Sequence, residues 1–240
     1  MNRTLLALAV GAGLLALPGT ALAEDETYEP ATLQDLGSLQ RFTRIGLGLR
    51  SQWVSNAGYD PFSKSDYLAA WTVEGSRTIL VIDRLSLSVG GSVDLGASSA
   101  EARGAKTSLG AHRFTVPVEG RYHLAPWLMV FGKLAPGAMV MTASIKDPSG
   151  GDQALTDTGA VFAADGSLGA AFLFGTRENP DKHPPRFWAT GEWGYGWTTS
   201  RPWTFRPEDD EQLTGKVGST NLGPVAFRGT FFRLGAALSF

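Results

Sequence analysis

The sequence predicts an all-β protein, an eight-stranded antiparallel up-and-down barrel that spans a membrane. Three observations predict it: segments of about ten residues alternate between apolar and polar side chains, charge is scarce, and the chain begins with an export signal. Charged residues make up 18% of the 240 residues, against about 25% in ordinary soluble domains. The chain has 30 glycines and no cysteine, so disulfides and thiolate sites are excluded. A formal net charge of −2 argues against a nucleic-acid partner.

The N-terminal residues show the features of a secretory signal peptide in the expected order. Arg3 supplies a positive charge, an apolar run follows, and Ala21-Leu22-Ala23 is a small-x-small cleavage site. The apolar run is too short for a helix that crosses a bilayer, which takes about 20 residues. We therefore expect a signal peptide over residues 1–23, a short periplasmic segment over 24–40 and the barrel over 41–240.

Eight segments of the remaining chain alternate with a period of two. In the last, Phe232, Leu234 and Leu238 share an apolar face, whereas Arg233 and Gly235 lie on the other. The predicted strands are residues 43–54, 67–76, 85–96, 113–123, 128–142, 161–174, 187–198 and 229–240. An even number places both chain ends on the periplasmic side. The predicted outer loops are 55–66, 97–108, 143–158 and 199–221, and the predicted periplasmic turns are near 77–84, 124–127 and 175–186.

A membrane location requires that these strands close into a ring. In hydrocarbon every backbone N–H and C=O must be paired within the protein, so an open sheet edge is not tolerated. Eight strands enclose an interior that side chains can fill. A porin of roughly sixteen strands, with an aqueous channel, would need a far longer chain.

The last residues carry a further signal. Arg233, Gly235, Leu238 and the terminal Phe240 resemble the β-signal that the outer-membrane insertion machinery reads. With the export signal and the eight segments, the chain resembles the small OmpA, OmpX and OmpW barrels of Gram-negative bacteria. The resemblance implies a monomeric barrel in the outer membrane, with outer-membrane lipid, lipopolysaccharide and the insertion machinery as partners. It implies no particular function.

The alternation of side chains along each predicted strand places ten charged side chains on the inward face of the barrel. An Arg or Lys that faces lipid near the midplane costs about 2–4 kcal/mol, whereas inward charges can pair with one another. The inward set is Arg44, Arg50, Glu74, Asp94, Glu119, Arg121, Lys133, Asp165, Glu192 and Arg233. We favour a structural ion-pair network over the second interpretation, a narrow conduit.

Aromatic side chains fall near the strand ends, mostly with outward parity. Girdles of aromatic residues at the two membrane interfaces are typical of membrane barrels. The predicted girdle residues are Trp53, Tyr67, Trp71, Trp127, Phe187, Trp193, Tyr195, Trp197 and Phe240. We prefer this interpretation to a cluster that stacks on a ligand.

Catalytic and metal-binding patterns are weak. His112 alone among the histidines is placed near the outer rim, where a lipid A-modifying enzyme would hold its base, and Ser108 and Glu101 lie in the same predicted loop. The alternation places the His112 side chain on the lipid-facing side of its strand, and no carboxylate lies beside it there to orient the imidazole. The four carboxylates at 208–211 do not match an EF-hand and are interpreted as solvated. We expect no metal and no cofactor.

The sequence therefore predicts a porin-like or OmpA-like barrel without enzymatic activity, with a structural, surface-interaction or small-solute passage role. Two alternatives stay open. One is an outer-membrane lipid A-modifying enzyme that uses rim residues such as His112. The other is a secreted lipocalin-like barrel, which would carry apolar side chains inside and polar side chains outside.

Deletion of Phe240 is expected to reduce insertion into the outer membrane, because it removes the terminal residue of the β-signal. The measurement is the fraction of protein that cofractionates with outer membranes, with the aggregated periplasmic fraction counted separately. Undiminished insertion of the truncated chain would remove the support for a β-signal at this end.

Overall fold

The computed structural model describes residues 43–102, 104–146, 154–174, 185–207 and 220–240. The predicted signal peptide, the segment 24–40, the carboxylates at 208–211 and most of the predicted turn 175–186 lie outside the described residues. No helix within the described ranges is long and apolar enough to cross a membrane.

Eleven strands and one short 3₁₀ helix make up the described chain. The 3₁₀ helix is Asp60–Phe62. The strands are β1 Thr43–Trp53, β2 Tyr67–Ile82, β3 Leu85–Ala102, β4 Ala105–Thr115, β5 Val118–Ala125, β6 Leu128–Lys146, β7 Ala154–Phe174, β8 Arg186–Thr198, β9 Arg201–Pro207, β10 Thr220–Val225 and β11 Gly229–Ser239.

These strands form an eight-stranded antiparallel ring, because three of its strands are each interrupted once. Both β4 and β5 pair with β3 and with β6, and they are separated at Pro117, which has no N–H to give to a neighbour. In the same way β8 and β9 both lie along β7, while β10 pairs with β9 and β11 with β8. The predicted fold class is confirmed.

The ring closes between the first and last strands. Pairing of β1 with β11 runs from Arg44 opposite Ser239 to Gln52 opposite Phe231. The backbone N–H of Phe240 donates to the carbonyl of Thr43 at 2.9 Å. Closure therefore leaves no free sheet edge along these two strands.

Several strands run further than the sequence pattern indicated. The predicted outer loop 97–108 is wrong, because β3 and β4 continue through it as a hairpin whose turn contains Gly104. Gly104 has φ 84°, a conformation that suits glycine in such a turn. The predicted loops 143–158 and 199–221 are likewise partly strand, and β2 reaches Ile82, so the first periplasmic turn is only residues 83–84.

The polarity of the two barrel faces inverts along the strands. In β6, Lys133 points inward and Leu134 points outward with 68% of its surface exposed. Further along the same strand Met141 is fully buried inside, and Thr142 is exposed outside. One part of the barrel is thus apolar outside and charged inside, and the other is polar outside and apolar inside.

We call the first part the belt and the second part the outer extension. The belt carries exposed apolar side chains on all sides of the ring, among them Ile45, Leu47, Leu49, Trp71, Val73, Leu95, Phe114, Leu134, Phe162, Leu168, Trp193, Phe232 and Leu234. The outer extension carries exposed Ser99, Glu101, Lys106, Ser108, Thr142, Lys146 and Thr158 on its outer wall. These exposed polar side chains explain why strand residues of the outer extension are predicted as loops. The alternation continues in the extension, but there the polar side chains face outward and the apolar ones inward.

Candidate functional site

All ten predicted lumen charges lie on the inward face. Nine of them are buried, and Glu74 is the partly buried tenth. Arg113, with 3% of its surface exposed, is a further inward charge outside the predicted set. It shares the odd-numbered face of its strand with Thr115 and Glu119, so the same parity argument could have found it.

One group of charges lies toward the outer end of the belt. The Arg50 guanidinium donates to Asp94 at 3.0 Å and to Asp165 at 2.5 and 3.1 Å. Arg113 also donates to Asp165 and lies directly opposite Asp94 in the strand register. Two arginines and two aspartates thus form the upper group, and Thr72 donates a further hydrogen bond to Asp94 at 2.6 Å.

A second group lies below it, centred on Lys133. The Lys133 ammonium lies 2.8 Å from Glu74, 3.1 Å from Glu192 and 3.4 Å from Glu119. Arg121 donates to Glu119 at 2.5 Å. These residues, with Arg44 and Arg233, form the lower group.

Arg233 joins the two groups. Its guanidinium lies 3.1 Å from Glu192 and 3.5 Å from Asp94. The strand register brings these partners together, since Arg233 is directly opposite Glu192 and also opposite Arg50. The like-charged Arg50 and Arg233 both lie over the Phe231 ring, at 3.9 and 5.5 Å from its centroid.

Gly196 provides the space that the upper group needs. A Cβ at this position would lie 2.7 Å from Arg50 Nη2, 2.8 Å from Gln52 Nε2 and 2.9 Å from an Asp165 oxygen. Any side chain here would therefore displace the Arg50–Asp165 pair. Gly191, in the same strand, faces outward, and its nearest neighbour would be Leu234 at 3.9 Å.

Apolar side chains fill the lumen on both sides of the charges. Toward the chain ends lies a layer of Met129, Phe131, Ala171, Trp188 and Ala237. In the outer extension a larger cluster contains Tyr59, Phe62, Leu68, Leu109, Met139, Met141, Trp203, Phe205 and Phe227. The described interior is therefore built of three layers, and the charged one lies between two apolar ones.

The connection between β1 and β2 completes the outer apolar layer. Phe62, in its 3₁₀ helix, packs its ring against Trp203 and Phe205 with centroids 5.7 and 6.2 Å apart. The backbone of this segment is held from the barrel wall, because Ser98 donates to the Phe62 carbonyl at 2.7 Å and Thr107 donates to the Pro61 carbonyl at 2.5 Å. The segment thus acts as a plug inside the barrel mouth.

The predicted aromatic positions face outward. Eight of the nine are exposed, and Trp197 is half-buried against Phe162, with ring centroids 6.0 Å apart. The outward apolar belt and the inward charges are the reverse of what a soluble ligand-binding barrel presents. The lipocalin-like alternative is therefore wrong, because it expects apolar side chains inside the barrel and polar side chains outside.

The residues of the proposed rim site do not come together. His112 lies between Leu95 and Val140 in the register, on the outward face. Ser108 is four residues along the same strand, about 13 Å away at 3.3 Å per residue. Glu101 is opposite Lys106, which is six residues, or about 20 Å, from His112. In the described part of the chain, no three histidines or carboxylates are grouped to hold a metal.

The chain is similar to known proteins in structure only. No family model matches the chain, and no curated protein does. Among solved structures it is similar to Ail, the attachment invasion locus protein of Yersinia pestis, at 10% identity and TM-score 0.44, over 84% of this chain and 99% of that one.

Two other solved structures show a similar degree of likeness. The outer-membrane protease OmpT of Escherichia coli has 9% identity and TM-score 0.46, over 85% and 97% of the two chains. A major outer membrane protein of Thermus thermophilus has 13% identity and TM-score 0.44, over 82% and 99%. Because these values are low, the assignment as a small membrane-spanning β-barrel depends on the strand register and outer wall of this chain. The narrower resemblance to OmpA, OmpX and OmpW stays a prediction.

Arg50→Met is expected to lower the free energy of unfolding by about 3–5 kcal/mol, because it leaves buried carboxylates without their main cation. Urea unfolding of the barrel in lipid vesicles, followed by tryptophan fluorescence, measures the change. Lys106→Met, at an exposed position of the outer extension, is the control and should stay within about 0.5 kcal/mol of the parent. Equal effects of the two substitutions would contradict a structural role for the upper group.

Gly196→Ala is expected to cost about 1–3 kcal/mol through overpacking against Arg50. Gly191→Ala in the same strand, with open space around its added methyl group, should change stability by less than about 0.5 kcal/mol. The same unfolding assay compares the two variants. If Gly196→Ala is as stable as Gly191→Ala, the packing around the Arg50–Asp165 pair is not as described.

Proposed function

We propose that this chain is a non-enzymatic, non-conducting outer-membrane barrel that displays its outer extension at the cell surface. The observation that carries the proposal is the inversion of polarity along the strands. It gives the barrel a belt suited to lipid and, directly above it, a wall suited to water. Structural and surface-interaction roles follow from this arrangement, whereas passage of solutes does not.

The dimensions support a projecting outer half. The longest strand, β7, has 21 residues. At about 3.3 Å per residue and a tilt of about 40°, it rises roughly 50 Å, twice the roughly 25 Å height of a typical apolar band. The pairing of β6 with β7 continues to Lys146 opposite Ala154, so this hairpin stays a regular sheet beyond the belt. A regular, exposed sheet is a suitable surface for contact with other molecules.

The filled lumen supports a barrel that does not conduct. The central charges are paired at distances of no more than 3.7 Å, and apolar layers lie on either side of them. An ion on its way through would have to separate these pairs and also enter two apolar layers, and each step is costly.

The absence of enzymatic activity is part of the proposal. It is supported by the separation of His112 from Ser108 and Glu101, since a catalytic base must lie within hydrogen-bond reach of its partners. Outer-membrane lipid, lipopolysaccharide and the insertion machinery are the partners expected of such a barrel, and exposed Lys106 and Lys146, opposite each other on the outer wall, suit anionic headgroups.

Purified protein reconstituted into planar bilayers is expected to give no conductance steps above the lipid baseline, since the lumen has no continuous polar path. A porin added to the same membrane is the positive control. Stable unitary steps that scale with the amount of protein would contradict the non-conducting proposal.

Single cysteines test the display of the outer extension, because the natural chain has none. In intact cells, Ser108→Cys in the extension should react with a membrane-impermeant maleimide. Arg84→Cys, in the turn between β2 and β3 at the other end of the barrel, should react only after the outer membrane is permeabilised. The reverse pattern would contradict the proposed orientation and the surface role with it.

A further inference from the structure

A small cavity lies inside the lower group of charges. Its volume is about 30 Å³, enough for about two water molecules or one monoatomic ion. Three cations, Arg44, Lys133 and Arg233, line it together with the carboxylates Glu74 and Glu192. The residues that line it belong to β1, β2, β6, β8 and β11.

The charges around this cavity do not balance. In the upper group Arg50 and Arg113 are matched by two aspartates. The lower group has four cations, Arg44, Arg121, Lys133 and Arg233, and three carboxylates, Glu74, Glu119 and Glu192. The lower group, which contains the cavity, therefore carries one more positive than negative charge.

Two arginines that line the cavity also have unused donors. Arg44 Nη1 has no hydrogen-bond partner, and its nearest carboxylate oxygen, on Glu119, is 3.5 Å away. Arg233 Nε has no hydrogen-bond partner either. Only 8% and 10% of these two side chains are exposed. A buried charged donor without an acceptor is costly, so an acceptor that also carries negative charge would stabilise both.

We propose that this cavity binds one monovalent, monoatomic anion, of which chloride is the physiological example. The small volume of the cavity favours a small ion over larger polyatomic ligands, and the excess positive charge of the lower group disfavours a cation. Glu74 and Glu192 line the same space, but each is neutralised by Lys133 and Arg233, which lie within 3.7 Å of them. Binding of one anion makes the lower group neutral.

Anomalous diffraction from crystals grown in sodium bromide tests the site directly. We expect a bromide peak inside the cavity, within contact distance of the Arg44 and Arg233 guanidinium groups. Density in the cavity without anomalous signal, at saturating bromide, means that only water occupies it and overturns the proposal.

A second measurement uses the protein in detergent. The unfolding temperature should rise saturably when sodium gluconate is replaced by sodium chloride at constant ionic strength, because a ligand of the folded state stabilises it. Arg44→Met removes the excess charge and should abolish this dependence, whereas Lys106→Met should keep it. Unfolding temperatures of the parent protein that do not respond to chloride would count against the site, even if Arg44→Met fails to fold.

Discussion

The structure depends on one constraint: hydrocarbon is a costly environment for charges and for unpaired backbone groups. Closure of β1 on β11 meets the backbone half of this requirement, because it leaves no open edge. The side-chain part of the requirement is met by the alternation along each strand, which places the charged Lys133 inward and its neighbour Leu134 outward. A shift of one residue in any belt strand would reverse both faces at once, so the register is strongly specified.

The ion-pair network follows from the same constraint. Charges that are turned away from lipid enter an interior too narrow to hydrate them, and they must pair. The register supplies partners on neighbouring strands, such as Glu119 opposite Lys133 and Glu192 opposite Arg233. The network is thus best understood as the consequence of placing charges inside a narrow barrel, and its glycine neighbours, such as Gly196, as the space that the arginines require.

Above the belt the outer wall carries polar side chains, and the same strands adopt the alternation of a water-soluble barrel, with apolar side chains inside. Leu109 and Met141 are buried inside, whereas Lys106 and Thr142 face outward. The Phe62 segment is part of the core of this region, because the Phe62 ring packs against Trp203 and Phe205 inside the barrel. The boundary between the two patterns marks where lipid ends.

Sequence reasoning predicted the belt and largely missed the outer extension. The eight strands, the closure and all ten inward charges follow from period-2 alternation read with the apolar face outward. The residues of the extension alternate with the opposite sense, so Ser, Thr and Lys at outward positions give the pattern of a loop. The burial of Tyr59, Phe62, Trp203 and Phe205 depends on a connection that folds back into the barrel, and no local pattern in the sequence indicates such a contact.

Spin labels along β6 test the central claim, the inversion of polarity at the lipid boundary, most directly. A nitroxide at Leu134 should be accessible to oxygen, which concentrates in lipid, and one at Ser144 to a water-soluble nickel chelate. A nitroxide at the buried Met141 should be accessible to neither reagent. Contact of the Ser144 label with lipid, or of the Leu134 label with water, would contradict the account.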